Sequence, residues 1–227
     1  LNAVTKAANN GHKIAQRRLG RIYDYGSGVK ENNTEAVKWY KKAADNGDAS
    51  AMTSLGISYR NGTGVTKDQQ KGNYWYKKAA KRGDARAMLI LGVSYEYGNG
   101  VTIDDEKSFY WYKKAAEKGN VSAMTKLGIY YQYGTGVTKD YEKATFWYKK
   151  ASDKGDALAM FYLGYKYYKG LGGIQDYEKA FYWFKKSAEN GNTKGMKALG
   201  LCYRDGIGVS RDIEKANYWL EKAKEKG

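Results

Sequence analysis

Residues 123–151 read Ala123-Met124-x-x-Leu127-Gly128-x-x-Tyr131-x-x-Gly134-x-Gly136-Val137-x-x-Asp140-x-Glu142-Lys143-Ala144-x-x-Trp147-Tyr148-x-Lys150-Ala151. The first part sets Ala, Met, Leu, Gly and Tyr at i, i+1, i+4, i+5 and i+8, which is one apolar stripe along an α-helix. The paired glycines Gly134 and Gly136 then break the helix and supply unusual backbone angles. Asp140 and Glu142 suit the cap and first turn of a second helix, where negative charge complements the helix dipole. Ala144, Trp147, Tyr148, Ala151 and Ser152 continue as its core-facing stripe. One such hairpin has little to bury a Trp against, so the stretch predicts neighbours of its own kind.

The rest of the chain supplies them. Trp recurs at 39, 75, 111, 147, 183 and 219, and Gly at 11, 47, 83, 119, 155, 191 and 227, always 36 residues apart. A period this strict marks a repeat array and excludes a single globular core. Cutting after each Gly gives full blocks at 12–47, 48–83, 84–119, 120–155, 156–191 and 192–227, with 1–11 as the end of an earlier block and Ala3 in its Trp slot. All of 1–227 is read as one repeat domain. Asp48, Asp84, Asn120, Asp156 and Asn192 open five blocks as helix N-caps behind a Gly suited to a left-handed turn, and His12 is the one departure. Gly56 and its counterparts sit in mid-helix, where Gly costs about 1 kcal/mol, so their recurrence predicts a close approach that only Gly allows. The expectation is 13 helices, one partial at 1–10 and two per block, with no strand. Block five departs at Gly170-Leu171-Gly172-Gly173-Ile174, where Gly replaces the usual Val.

The quoted block resembles the Sel1-like repeat family, a relative of the tetratricopeptide repeat with a longer loop between its helices. The tetratricopeptide period is 34 and fits 36 poorly. The resemblance covers the whole chain, with about a dozen slots shared by six copies. It implies an all-α, right-handed α/α solenoid whose first helices line the concave face, and an adaptor or scaffold role in protein complexes. A cysteine-rich branch of the family, with one disulfide per repeat, is connected with β-lactam binding; the single Cys202 puts that branch out of reach.

Composition supports an ordered chain, with 42% hydrophobic and 15% aromatic residues, and the absence of Pro excludes a proline-rich linker. No apolar run approaches the roughly 18 residues of a membrane span. One Cys permits no intrachain disulfide, which fits a reducing compartment. Because the sequence opens at Leu1 rather than Met, the compartment stays open, with the cytoplasm slightly favoured and export or delivery to a host as the alternatives. Catalysis needs a convergent nucleophile, base and stabiliser. The single His12 reads as a cap or surface residue, Cys202 as an inert thiol, and no Cys/His spacing makes a metal cluster. The Gly-x-Gly-Val loops lack the Gly-Lys-[Ser/Thr] ending of a phosphate loop, so turn geometry explains them. No enzyme, cofactor or metal is therefore expected.

Net charge is +16, from +5 in block two to −1 in block three. Lys pairs recur at 41/42, 77/78, 113/114, 149/150 and 185/186 and predict a solvated Lys ladder on the second helices, away from the Trp stripe. Nucleic acid is disfavoured as a partner, since the aromatic residues fall in periodic structural slots rather than among the basic ones. The first helices differ between copies opposite their constant stripe. Ser50, Thr53, Ser54, Ile57 and Asn61 occupy those slots in block two. The slot of Ile57, Val93, Ile129, Tyr165 and Leu201 is apolar in five of six blocks and reads as packing between repeats. Leu89, Ile90, Tyr97, Tyr133, Phe161 and Tyr162 have no such reason to be apolar and are the candidate partner-binding residues in one groove, with Arg17, Arg18 and Arg21 as its basic end. The function expected is a non-enzymatic scaffold whose partner is another protein, acidic or carrying an apolar segment. The alternatives are an inhibitor or immunity protein for one enzyme, and an electrostatic binder of nucleic acid or anionic membrane. The sequence leaves the oligomeric state open.

Overall fold

The computed structural model describes residues 1–226. Among them lie 13 α-helices and no strand: α1 (Asn2–Asn9), α2 (Lys13–Tyr25), α3 (Asn33–Asp45), α4 (Ala49–Asn61), α5 (Gln69–Lys81), α6 (Ala85–Tyr97), α7 (Asp105–Glu117), α8 (Val121–Tyr133), α9 (Tyr141–Ser152), α10 (Ala157–Lys169), α11 (Tyr177–Glu189), α12 (Thr193–Asp205) and α13 (Ile213–Lys226). The last Gly of the periodic series, Gly227, lies outside the described residues. The chain divides into two compact units, Leu1–Asn120 with α1–α7 and Val121–Gly227 with α8–α13.

The junctions form as their chemistry dictates. Asp48, Asp84, Asp156 and Asn192 each accept a hydrogen bond from the backbone N–H three residues on, at Ala51, Ala87, Ala159 and Gly195. His12 caps α2 with no side-chain bond. The glycine before each cap takes positive φ, as at Gly47 (φ 80°). The second helices are fixed by a repeated clamp. Asp68, Asp104, Asp140, Asp176 and Asp212 each accept from the backbone N–H three residues later. Their own N–H groups donate to the carbonyls of Tyr59, Tyr95, Tyr131, Tyr167 and Tyr203 on the preceding first helix. The Lys three residues on then ion-pairs with that Asp and stands over the same Tyr ring. Exposed pairs of this kind contribute little energy each, so their main effect is to fix the entry of the helix.

Helix pairs within a block pack most closely, and each second helix also packs on the first helix of the following block inside its own unit. The core differs from the expected one at the Trp slot. Trp39 is buried, but Trp75, Trp111, Trp147, Trp183 and Trp219 are only half-buried. The side chains fully out of water are the residues that follow, Tyr40, Tyr76, Tyr112 and Tyr148, with Phe184 buried in the fifth copy. Each lies on the mid-helix Gly of its partner. A Cβ added at Gly56 would stand 2.5 Å from Cε1 of Tyr76, and one at Gly164 would stand 2.5 Å from Cδ1 of Phe184. The recurrent Gly is thus a notch for an aromatic ring. Burying one such Tyr removes roughly 150–250 Å² from water, about 4–6 kcal/mol before entropy is counted. The Trp rings instead sit edge-on to their neighbours, as Trp75 to Tyr74 (5.4 Å, 79°) and Trp183 to Tyr182 (5.3 Å, 81°).

Candidate functional site

In the unit Leu1–Asn120, a groove of about 530 Å³ opens on the face of α2, α4 and the start of α6. All five variable slots of block two (Ser50, Thr53, Ser54, Ile57 and Asn61) line it, facing Arg17 and Arg21 of α2 and Arg86 of α6. Arg17 Nε lies 3.2 Å from Oδ2 of the buried Asp48, so part of its charge is neutralised within the fold. Arg21 stands 6.0 Å from the centre of the Tyr25 ring. Tyr40 donates to Asp24 at 3.0 Å on the groove wall, and burial is the first cause that pushes its hydroxyl well above the ordinary tyrosine range. Arg18 turns elsewhere, into a cleft of about 290 Å³ shared with Val4 and Ile22. Leu89 and Ile90 are half-buried on α6, and Tyr97 at its end is 61% exposed. None of these three lines the groove.

In the unit Val121–Gly227, the face of α10 and α12 holds a cavity of about 350 Å³ of another character. Phe161, Tyr165, Tyr168 and Phe184 form its aromatic wall, Leu201 and Cys202 its floor, and Lys194 and Lys197 reach its rim. Phe161 packs on Phe184 at 5.8 Å and edge-on to Tyr162 at 5.5 Å. Tyr162 stacks almost flat on Tyr148 (5.2 Å, 4°) and takes no part in the cavity lining. Phe161 and Tyr162 therefore both have local packing partners, and Phe161 also faces the cavity. Tyr133, 56% exposed, acts electrostatically on Tyr148 and Tyr162, whose hydroxyls are raised first of all by burial. Burial also pushes the Cys202 thiol up to about 11, which leaves it protonated and unreactive at neutral pH.

Two readings of the sequence change. Three residues of the slot expected to pack between repeats also line these cavities, Ile57 in one unit and Tyr165 and Leu201 in the other, with Leu201 38% exposed and Tyr165 still packed on Phe161 at 6.3 Å. Its signal was visible in the Tyr at block five, an awkward shape for a uniform packing slot. The Lys pairs do not all stand away from the Trp stripe. Lys42, Lys78, Lys150 and Lys186 lie over Trp39, Trp75, Trp147 and Trp183 at 4.1–5.5 Å, and Lys114 lies over Tyr110 at 5.7 Å. Half of the expected ladder is therefore engaged with rings on its own helix.

No helix among the described residues is long and apolar enough to cross a membrane. Among them, no group of three or more His, Cys, Asp and Glu side chains is placed to hold a metal ion.

Comparison with curated proteins finds no match. Solved structures do match. The chain is 37% identical to a protective antigen present in uropathogenic Escherichia coli strains that displays the SLR fold, with a TM-score of 0.94 over 100% of this chain and 48% of that one. This chain thus spans about half the length of the E. coli antigen. It is 41% identical to a Sel1 repeat protein from Oxalobacter formigenes, with a TM-score of 0.86 over 95% of this chain and 88% of that one. An immunity protein from Pseudomonas aeruginosa shares the fold at 23% identity and a TM-score of 0.56, over 94% of this chain and 81% of that one. The Sel1 repeat family itself matches residues 13–48, 49–84, 85–120, 121–156, 157–192 and 193–227, one residue later than the blocks cut at the periodic Gly. With the caps, the Gly notches and the 36-residue period accounted for, the chain belongs to the Sel1 repeat family.

Proposed function

We propose that this protein is a non-enzymatic interaction scaffold that holds a protein partner on the variable faces of its first helices. Sel1 repeat proteins are interaction scaffolds as a class, and the finer assignment rests on one observation. The slots that differ most between copies line the two cavities, polar and arginine-bearing in Leu1–Asn120, aromatic in Val121–Gly227. A slot that only packs repeats together has no reason to change chemistry from copy to copy. Aromatic walls suit an apolar side chain of a partner, and unpaired Arg suits an acidic one. Arg17, Arg21 and Phe161 are the original candidate residues within these cavities. Arg18, Leu89, Ile90 and Tyr97 belong with the first cavity as its flanks, and Tyr133 and Tyr162 with the second, each within its own unit.

The test is a cross-linking pull-down from the native source, followed by calorimetry with the captured protein. Phe161→Ala is expected to weaken binding at every salt concentration, by about 2 kcal/mol or more if Phe161 is a hot spot. Lys113→Ala with Lys114→Ala should weaken it modestly and chiefly at low salt. If the Lys pair proved decisive and Phe161 did not matter, the electrostatic reading would replace this one. Capture of a single enzyme that loses activity on binding would narrow the scaffold to an inhibitor.

A further inference from the structure

The residue on the Gly notch has a counterpart on the first helix four positions after the Gly, sixteen residues before itself. In chain order the pairs are Tyr40 with Asp24, Tyr76 with Arg60, Tyr112 with Glu96, Tyr148 with Gln132, Phe184 with Tyr168 and Leu220 with Arg204. Where the ring carries a hydroxyl, its mate accepts the proton. Tyr40 donates to Asp24 at 3.0 Å, Tyr112 to Glu96, and Tyr148 to Gln132 at 3.2 Å. Where there is no hydroxyl, at Phe184 and Leu220, the mate need not accept.

Block two breaks this rule. Tyr76 keeps its hydroxyl, and Arg60 stands where the acceptor belongs. Arginine offers five donors and no acceptor. Tyr76 is 1% exposed and its Oη has no hydrogen-bond partner. An unpaired buried hydroxyl costs about 1–3 kcal/mol, and native structures keep one only for a reason. The surroundings indicate the reason. The positive charges of both Arg60 and Arg86 act on this hydroxyl. Gly72, one turn before Tyr76, lies against the first helix, where an added Cβ would stand 3.0 Å from the Gly56 carbonyl oxygen and in ordinary contact with Arg60. Arg60 Nε donates to Asn61 Oδ1 at 3.3 Å, and Asn61 and Arg86 line the groove of this unit. Neither Arg60 nor Arg86 has an ion-pair partner among the described residues. Arg86 of block three thus lines the groove, Arg60 of block two is tied to the groove lining through Asn61, and the buried Tyr76 hydroxyl feels both charges.

We infer that Arg60, Arg86 and Tyr76 form a carboxylate site, in which an Asp or Glu side chain of a protein partner takes the acceptor place that Asp24 and Glu96 fill within their own blocks. The inference rests on the scaffold reading and names the chemistry of what one unit holds. The guanidinium groups bind the carboxylate by charge-assisted bonds. Arg60, on a flexible stem, turns outward with it and uncovers the Tyr76 hydroxyl, which donates to the second oxygen.

The experiment titrates the purified chain with an acetylated, amidated hexaglutamate peptide and, separately, with inorganic phosphate, at physiological salt. Three variants are compared: Arg60→Gln, Arg86→Gln, and Arg204→Gln as a control of equal charge change in the other unit. Arg60→Gln and Arg86→Gln should each weaken the peptide by about tenfold or more, the loss of one charge-assisted bond, while Arg204→Gln changes it less than about twofold. Arg60→Gln should also raise the urea midpoint, because Gln gives Tyr76 the acceptor that Gln132 gives Tyr148. A purely structural Arg60 would change the midpoint and leave peptide affinity alone. Equal losses in all three variants would show that the peptide reads net charge, and would overturn the site. So would no peptide binding to the unaltered chain, or Arg60-dependent binding of phosphate without the peptide. Any of those results leaves the scaffold reading to be judged by Phe161→Ala on the captured partner.

Discussion

The same substitution, Tyr→Phe, can be made at four copies of one site that differ only in the residue meeting the hydroxyl. The structure orders the results. Tyr40→Phe and Tyr112→Phe each remove a hydrogen bond to a carboxylate, Asp24 or Glu96. Bonds to charged groups contribute about 1.5–3 kcal/mol, and both acceptors are only half-buried, so water re-solvates them and the loss should fall near 1.5 kcal/mol. Tyr148→Phe leaves the buried amide oxygen of Gln132 without its partner and should cost about 1–3 kcal/mol. Tyr76→Phe removes a buried hydroxyl without a partner, at unchanged ring packing, and should gain about 1 kcal/mol of the desolvation penalty. The assay is urea unfolding followed by Trp fluorescence, comparing midpoints at constant m. The expected order, from least to most stable, is Tyr40→Phe, Tyr112→Phe and Tyr148→Phe together, then the unaltered chain, then Tyr76→Phe. A Tyr76→Phe midpoint below the unaltered chain by the margin of Tyr40→Phe would refute the reasoning, since the hydroxyl would then have to be paired in solution.

Gly92→Ala should destabilise, although Ala is the better helix former by about 1 kcal/mol. Its Cβ would meet Tyr112 at 2.5 Å, and displacing that fully buried ring costs about 1–3 kcal/mol, so a raised urea midpoint would exclude the ring-notch account. Stability should also fall at both ends of the pH scale. Lys71 and Lys143 backbone amides hold Asp68 and Asp140 below the usual carboxylate range, and the Lys107, Lys179 and Lys215 side chains do so for Asp104, Asp176 and Asp212. A depressed folded pKa means that the contribution is complete above the unfolded value of about 3.9 and is lost as pH falls below it. Burial pushes Tyr76 up to about 12, so its contribution is complete below about pH 10 and is lost as pH rises from there toward 12. Urea midpoints measured across the pH scale check both limbs, and a curve flat to about pH 12 would contradict the alkaline one.

The fold was legible because its determinants are local. A cap such as Asp84, three residues from the amide it binds, and a turn glycine such as Gly98, at the end of its own helix, act within one stretch of sequence. The two adjacent rings of each second helix were less legible. Trp75 and Tyr76 lie on one stripe, and which of them enters the core depends on Gly56, twenty residues earlier and on another helix. Reading the stripe alone assigns the core to the larger ring. The cavity-lining slot was missed for a related reason. Ile57, Tyr165 and Leu201 are apolar like core residues, and only the geometry of neighbouring helices tells an apolar wall from an apolar contact. Arg60 showed no abnormality until it was set beside Asp24, Glu96 and Gln132, because the rule it breaks is one between residues sixteen apart.

The junction between blocks has a genetic consequence. Each join has a turn glycine with positive φ followed in most blocks by an Asp or Asn cap, and blocks two to six each carry their own Asp–Lys–Tyr clamp. Crossing-over between misaligned copies, 36 codons out of step, therefore yields a chain with one block more or fewer and every joint chemically intact. What such an event alters is the adjacency of the variable slots. Deleting the codons for 48–83 would set the first helix of block three beside that of block one within the same unit, and a groove with a new lining would arise without one point mutation. In this architecture recombination edits the lining of a groove while leaving the caps, clamps and notches that build it untouched.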